Sequence, residues 1–91
     1  MPKEAKGKYH RIPKNIRFPF GYTVKIVQKT CKELEDMAGE PIYGMWVDNE
    51  RTIYLSKTLP AAKRRGILLH ELTHALEDFK LFCTEIGLTK P

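Results

Sequence analysis

Ile42-Tyr43-Gly44-Met45-Trp46-Val47, then Asp48-Asn49-Glu50-Arg51, then Thr52-Ile53-Tyr54-Leu55 reads as strand, turn and strand. Aromatic and β-branched residues occupy the two flanks and polar turn formers separate them, so the stretch is expected as a hairpin. Ser56 or Thr58 is placed to cap a following helix, and Pro60 is tolerated in its first turn. That helix is expected from about Pro60 to about Phe79. Leu68, Leu69, Leu72, Ala75, Leu76 and Phe79 recur within it at helical period. Gly66 in its interior costs about 1 kcal/mol relative to alanine, which close packing against the sheet would explain.

Upstream, Tyr22-Thr23-Val24-Lys25-Ile26-Val27 alternates and reads as a first strand. Lys29 to Ala38 reads as a short helix stopped by Gly39 and Pro41. The expected fold class is therefore α+β: a small three-stranded, mostly antiparallel sheet packed on the long helix, ending in a short C-terminal helix or tail.

The 91 residues suffice for one small domain with a modest core, and 42% hydrophobic with 30% charged residues is a globular composition. The net charge of +5 is concentrated. Residues 1–17 carry Lys3, Lys6, Lys8, Arg11, Lys14 and Arg17 against Glu4 alone, while the rest of the chain is neutral. Pro2, Pro13 and Pro19 argue against regular structure there. A basic N-terminal tail over 1–17 and a single domain over 18–91 are the expected organisation. Nucleic acid is a candidate partner only through that tail. No apolar run approaches a membrane span and no signal-peptide pattern opens the chain, so a cytoplasmic location without membrane contact is expected. Cys31 and Cys83 are too few and too far apart for a disulfide framework and are expected as thiols.

The chemistry concentrates in His70-Glu71-Leu72-Thr73-His74. Residues four apart lie one helical turn apart on one face, so His70 and His74 can converge on one Zn²⁺. Glu71 can reach a metal-bound water and take its proton. A catalytic zinc commonly takes three protein ligands and keeps one position open. Glu77 is about 10 Å of helical rise from His70 and Asp78 is shorter, so both are expected as partners of the histidine N–H groups or as plain surface charge. Glu85 is the candidate third ligand, provided the chain turns back between Phe79 and Thr84 and a second helix begins at Glu85 under a Thr84 cap. Cys83, His10 from the tail, or a ligand from elsewhere are the alternatives. His-x-x-Gly-x-x-His does not continue the motif, because Glu77 and Lys80 stand at the required positions.

Arg51-Thr52-Ile53-Tyr54-Leu55-Ser56, the basic Lys63-Arg64-Arg65, and Leu68 to Leu76 around the two histidines resemble the small single-domain gluzincins. These are the minigluzincins and the ImmA/IrrE-type metallopeptidases, and the resemblance covers roughly residues 40–86. It implies a three-stranded sheet over an active-site helix, a glutamate helix that supplies the third ligand, and zinc-dependent hydrolysis of peptide bonds. It also implies a protein or peptide substrate, repressor-like proteins among them, and in some members latency. The expected mechanism puts Zn²⁺ on His70, His74 and Glu85 with Glu71 as general base. Tyr22, Tyr43 and Tyr54 are candidate donors to the developing oxyanion. Strand Ile42–Val47 could offer an edge to an extended substrate, with Trp46 either lining the cleft or packed in the core. Two other classes stand beside this one: a catalytically inactive zincin-like binding module, and a basic-arm protein acting on nucleic acid.

Overall fold

A computed structural model describes residues 12–87. The elements run β1 (Asn15–Arg17), β2 (Thr23–Lys29), α1 (Cys31–Ala38), β3 (Gly44–Val47), β4 (Thr52–Ser56) and α2 (Ala61–Glu85). The four strands form one sheet in the order β1-β2-β4-β3. The expected hairpin is present as antiparallel β3 and β4, with Trp46 opposite Ile53. The sheet is nevertheless mixed and four-stranded rather than three-stranded and mostly antiparallel. β2 and β4 run parallel, with Ile26 beside Ile53. The connection through α1 and β3 returns the chain to the end from which β2 started, which is what parallel pairing demands.

The additional strand lies where the prolines argued against regular structure. Ile16 pairs with Val24 across an antiparallel register. Three residues with one apolar side chain show no alternation, so β1 exists because of its turn. Tyr22 N–H donates to the Pro19 carbonyl at 3.4 Å, and Phe18 N–H to the Tyr22 carbonyl at 2.8 Å. The two central residues, Phe20 (φ 65°) and Gly21 (φ 79°), are both left-handed, as tight hairpin turns matched to strand twist require. Gly21 suits that conformation; Phe20 does not, and its ring is 59% exposed. Strain of this kind in a bulky residue costs on the order of 1 kcal/mol or more. Phe20→Asn, which puts asparagine ahead of Gly21, is expected to raise stability by about 1 kcal/mol in urea unfolding. A loss of stability would show instead that the exposed ring supports the fold.

α1 starts at Cys31 rather than Lys29 and stops at Ala38 as expected. Thr30 caps it: the Glu33 N–H donates to Thr30 Oγ1 at 3.2 Å and the Thr30 N–H donates to Glu33 Oε1 at 2.9 Å. Gly39, at φ 80°, ends it. These bonds from Thr30 hold the Glu33 carboxyl below its usual range. Leu34 alone on this helix is fully buried.

α2 departs from expectation at both ends. Its N-cap is Pro60, without a side-chain cap. Ser56 and Thr58 bond instead to each other at 2.8 Å and to the Cys31 thiol at 3.1 and 2.9 Å. At the other end the helix continues unbroken to Glu85, so there is no second short helix. Lys80-Leu81-Phe82-Cys83 offers no glycine or proline to stop it, and Phe82 and Cys83 return to the core side three and four residues after Phe79. Gly87, at φ 83°, lies just beyond the helix end, its N–H donating to the Thr84 carbonyl at 3.1 Å.

The core lies between the sheet and α2. Tyr22, Val24, Ile26, Ile53, Leu55, Leu68 and Ala75 form it, with Trp46, Ile67, Leu72 and Phe79 packed against it. The apolar stripe of α2 is narrower than the sequence pattern, since Leu69 and Leu76 are 65% and 46% exposed. Gly66 is not the point of close approach: nothing lies within 4 Å of where its Cβ would be. That point is Gly44, where a Cβ would stand 2.6 Å from Ile67 Cγ2. β3 can therefore lie closely against α2 only with glycine there.

Candidate metal centre

His70, Glu71 and His74 all lie in the middle of α2. The helix rests on the sheet along Leu68, Ala75 and Phe79, which turns the two histidines outward; both are exposed. Their rings face each other at 5.3 Å between centroids, with planes 84° apart. Zn–N bonds of 2.0–2.1 Å in tetrahedral geometry hold two imidazole centroids about 5 Å apart, so the observed spacing fits a shared zinc. Thr73 Oγ1 donates to the His70 carbonyl at 2.6 Å, a bond within one helical turn.

Glu71 is turned toward the flank of the core and is buried. Among the described residues no hydrogen-bond partner is recorded for its carboxylate. Arg64 Nε is the one buried side-chain polar atom without a partner among the described residues, so the Glu71 carboxylate reaches solvent although most of the residue is buried.

The other candidate residues separate sharply. Asp78 is committed elsewhere: the buried Tyr22 hydroxyl donates to its Oδ2 at 2.6 Å. Tyr22 also lies within an aromatic cluster, with Phe18, Phe79 and Phe82 at 5.4, 5.2 and 5.3 Å. Arg51 stacks over Tyr22 and Phe82 at 4.3 and 4.9 Å. Tyr22 is thus a structural strut between β2 and α2, and its hydroxyl is not offered to a substrate. Glu77 is exposed on the outer face of α2 beyond His74, and no bond to either histidine is recorded for it among the described residues.

Tyr54 corrects the sequence reading most clearly. Leu55 is opposite Gly44, the residue that abuts α2, and successive strand residues point to opposite faces. Tyr54 therefore points to the face away from α2, where its hydroxyl donates to Glu50 Oε1 at 2.7 Å. It cannot serve the histidines. Tyr43, 59% exposed, remains on their side. With Leu59, Lys63 and Ile67 it lines a groove of about 450 Å³ between the start of α2 and the edge strand β3. Sequence reasoning named Lys63 only within the basic Lys63-Arg64-Arg65 run and did not anticipate this groove, because Tyr43 and Lys63 are brought together by the packing of Gly44 on Ile67.

Glu85 occupies the last turn of the same helix as the histidines. Eleven residues of unbroken α-helix place it about 16 Å along the axis from His74. The turn that would have returned it does not occur, so one chain does not bring Glu85 to His70 and His74. Cys83 is buried on the core side. His10 lies outside the described residues, as does most of the basic tail. Among the described residues no group of three His, Cys, Asp or Glu side chains is placed to hold a metal ion. No described helix is long and apolar enough to cross a membrane.

No family model, no curated protein and no solved structure matches the chain.

Proposed function

We propose that this chain is a zinc-dependent peptidase of the gluzincin type, acting on an extended protein or peptide substrate. The observation that carries the reading is the pairing of two exposed imidazoles at zinc-sharing distance with Glu71 on the same turn of helix, its side chain packed at the edge of the core and its carboxylate open to solvent. His70 and His74 would hold the metal, which when bound supplies the Lewis acid that polarises the scissile carbonyl and activates water. Glu71 takes the proton from the attacking water and returns it to the leaving amine. Strand β3 lies at the sheet edge, so an extended segment can pair with it by backbone hydrogen bonds. The neighbouring groove takes a side chain of that segment against Tyr43 and Ile67, with the Tyr43 hydroxyl as a donor to the developing oxyanion. Repressor-like proteins are the substrate class the sequence resemblance implies. A cytoplasmic location and tail-mediated contact with nucleic acid belong to the same proposal.

One observation favours the alternative, a metal-binding module without turnover: the described residues assemble two ligands and no third. Zinc titration and an activity assay separate the readings. Zinc-free protein is expected to take up zinc, and His74→Ala to lose that uptake. The loaded wild type is expected to cleave an unfolded test protein until a chelator is added. Absence of zinc uptake by wild type overturns both readings; uptake without cleavage leaves the binding module.

A further inference from the structure

At about 100° per residue, His70, His74, Glu77, Leu81 and Glu85 fall within roughly 80° of one another on α2. All five are exposed, Leu81 by 64%, and the stripe is turned away from the sheet. It therefore holds two histidine ligands at one end, a carboxylate at the other and an exposed leucine between. The chain cannot fold this stripe onto itself, because α2 is continuous from Ala61 to Glu85. A second copy can meet it.

We propose that two copies pair antiparallel through α2, so that Glu85 of each copy becomes the third zinc ligand of the other. The inference rests on the zinc reading above. Two-fold related antiparallel helices have a single register parameter, since each residue lies level with one residue of the other copy. Setting the partner's Glu85 level with the midpoint of His70 and His74 fixes that parameter. At this register Glu77 lies level with the partner's Lys80, and by symmetry Lys80 lies level with the partner's Glu77. Both are exposed, so the charge complementarity that would favour the pair arises from the register that completes the metal site. Leu81 lies close to the two-fold axis and is covered. Each zinc then has two histidines from one copy and one carboxylate from the other, with a position left for water. That is the ligand count hydrolysis needs and the described residues of one chain lack.

The test uses the full chain, freed of metal and titrated with Zn²⁺ alone, reading molar mass by light scattering and bound zinc by elemental analysis. Wild type is expected to pass from monomer to dimer as zinc is added, with one zinc per chain. Glu85→Gln and His74→Ala, both at exposed positions, are each expected to remain monomeric at zinc concentrations that dimerise wild type. Mixing the two variants is expected to restore a dimer with one zinc per two chains, because the histidines of the Glu85→Gln chain meet the intact Glu85 of the His74→Ala chain. A zinc-loaded wild-type monomer overturns the proposal, as does a mixture that stays monomeric. A dimer with half a zinc per chain that survives Glu85→Gln also overturns it and indicates a four-histidine site instead. Failure of wild type to bind zinc at all strikes the underlying metal reading, so the two failures are distinguishable.

Discussion

Glu71→Gln is expected to abolish peptide hydrolysis and leave zinc content unchanged. The substitution keeps the shape of the side chain and removes only its ability to accept and release a proton. A positioned general base contributes about 10²–10⁴-fold to rate, so kcat/KM for an unfolded test protein should fall by about that factor. Glu71 is not one of the two facing imidazoles, so zinc uptake should match wild type in elemental analysis. Its carboxylate reaches solvent and makes no hydrogen bond to another described residue. Neutralising it therefore breaks no observed bond, and the fold should be kept. Loss of zinc with loss of activity would make Glu71 a ligand and overturn its assignment as base.

The second large effect concerns the strut beneath the histidines. Tyr22 is fully buried, bonds Asp78 on α2 and touches three aromatic rings. Removing a large buried aromatic side chain costs about 3–5 kcal/mol, close to the whole stability of a small domain at about 0.05–0.15 kcal/mol per residue. Tyr22→Ala is expected to leave the chain largely unfolded by circular dichroism. Tyr22→Phe keeps the ring and removes the bond to Asp78, and should cost about 1–3 kcal/mol in urea unfolding.

The same contact predicts a pH dependence. Burial first, and then the hydrogen bond to the Asp78 carboxylate, raise the Tyr22 phenol above its ordinary value. The folded protein thus binds this proton more tightly than the unfolded chain does. The associated stability is complete below the unfolded value of about 10 and is lost as pH rises above it. Tyr22→Phe should flatten the decline above about pH 10 relative to wild type. An identical decline in both proteins would place its origin elsewhere.

Much of the local structure is legible in the residues. The Thr30–Glu33 cap and Gly39 bracket α1 because the signals and the groups they satisfy lie within one turn. The β3–β4 hairpin follows from two apolar flanks around a four-residue polar turn. The helical placement of His70 and His74 follows from spacing alone. What was not legible depended on partners distant in sequence. Gly66 looked like the close approach and Gly44 is, because only the register of β3 against Ile67 distinguishes them. Tyr54 looked available as a donor until its opposition to Met45, beside the Gly44–Leu55 pair, turned it to the far face. Asp78 looked like a companion of the histidines until Tyr22, fifty-six residues away, proved to hold it.

The sequence by itself therefore determined the α+β class, the hairpin, and a helical His-Glu-x-x-His run with its two imidazoles on one face. Those outcomes need only backbone periodicity and short-range capping, which act over a few residues. The tertiary structure alone decided that the sheet is mixed, that Glu71 is buried while its neighbouring histidines are exposed, and that Glu85 stays on the helix of the histidines. The last outcome has a definite physical cause. Phe82 and Cys83 continue the core-facing stripe beyond Phe79, so packing favours extending α2 over turning back. Glu85 is thereby held about 16 Å along the helix axis from His74.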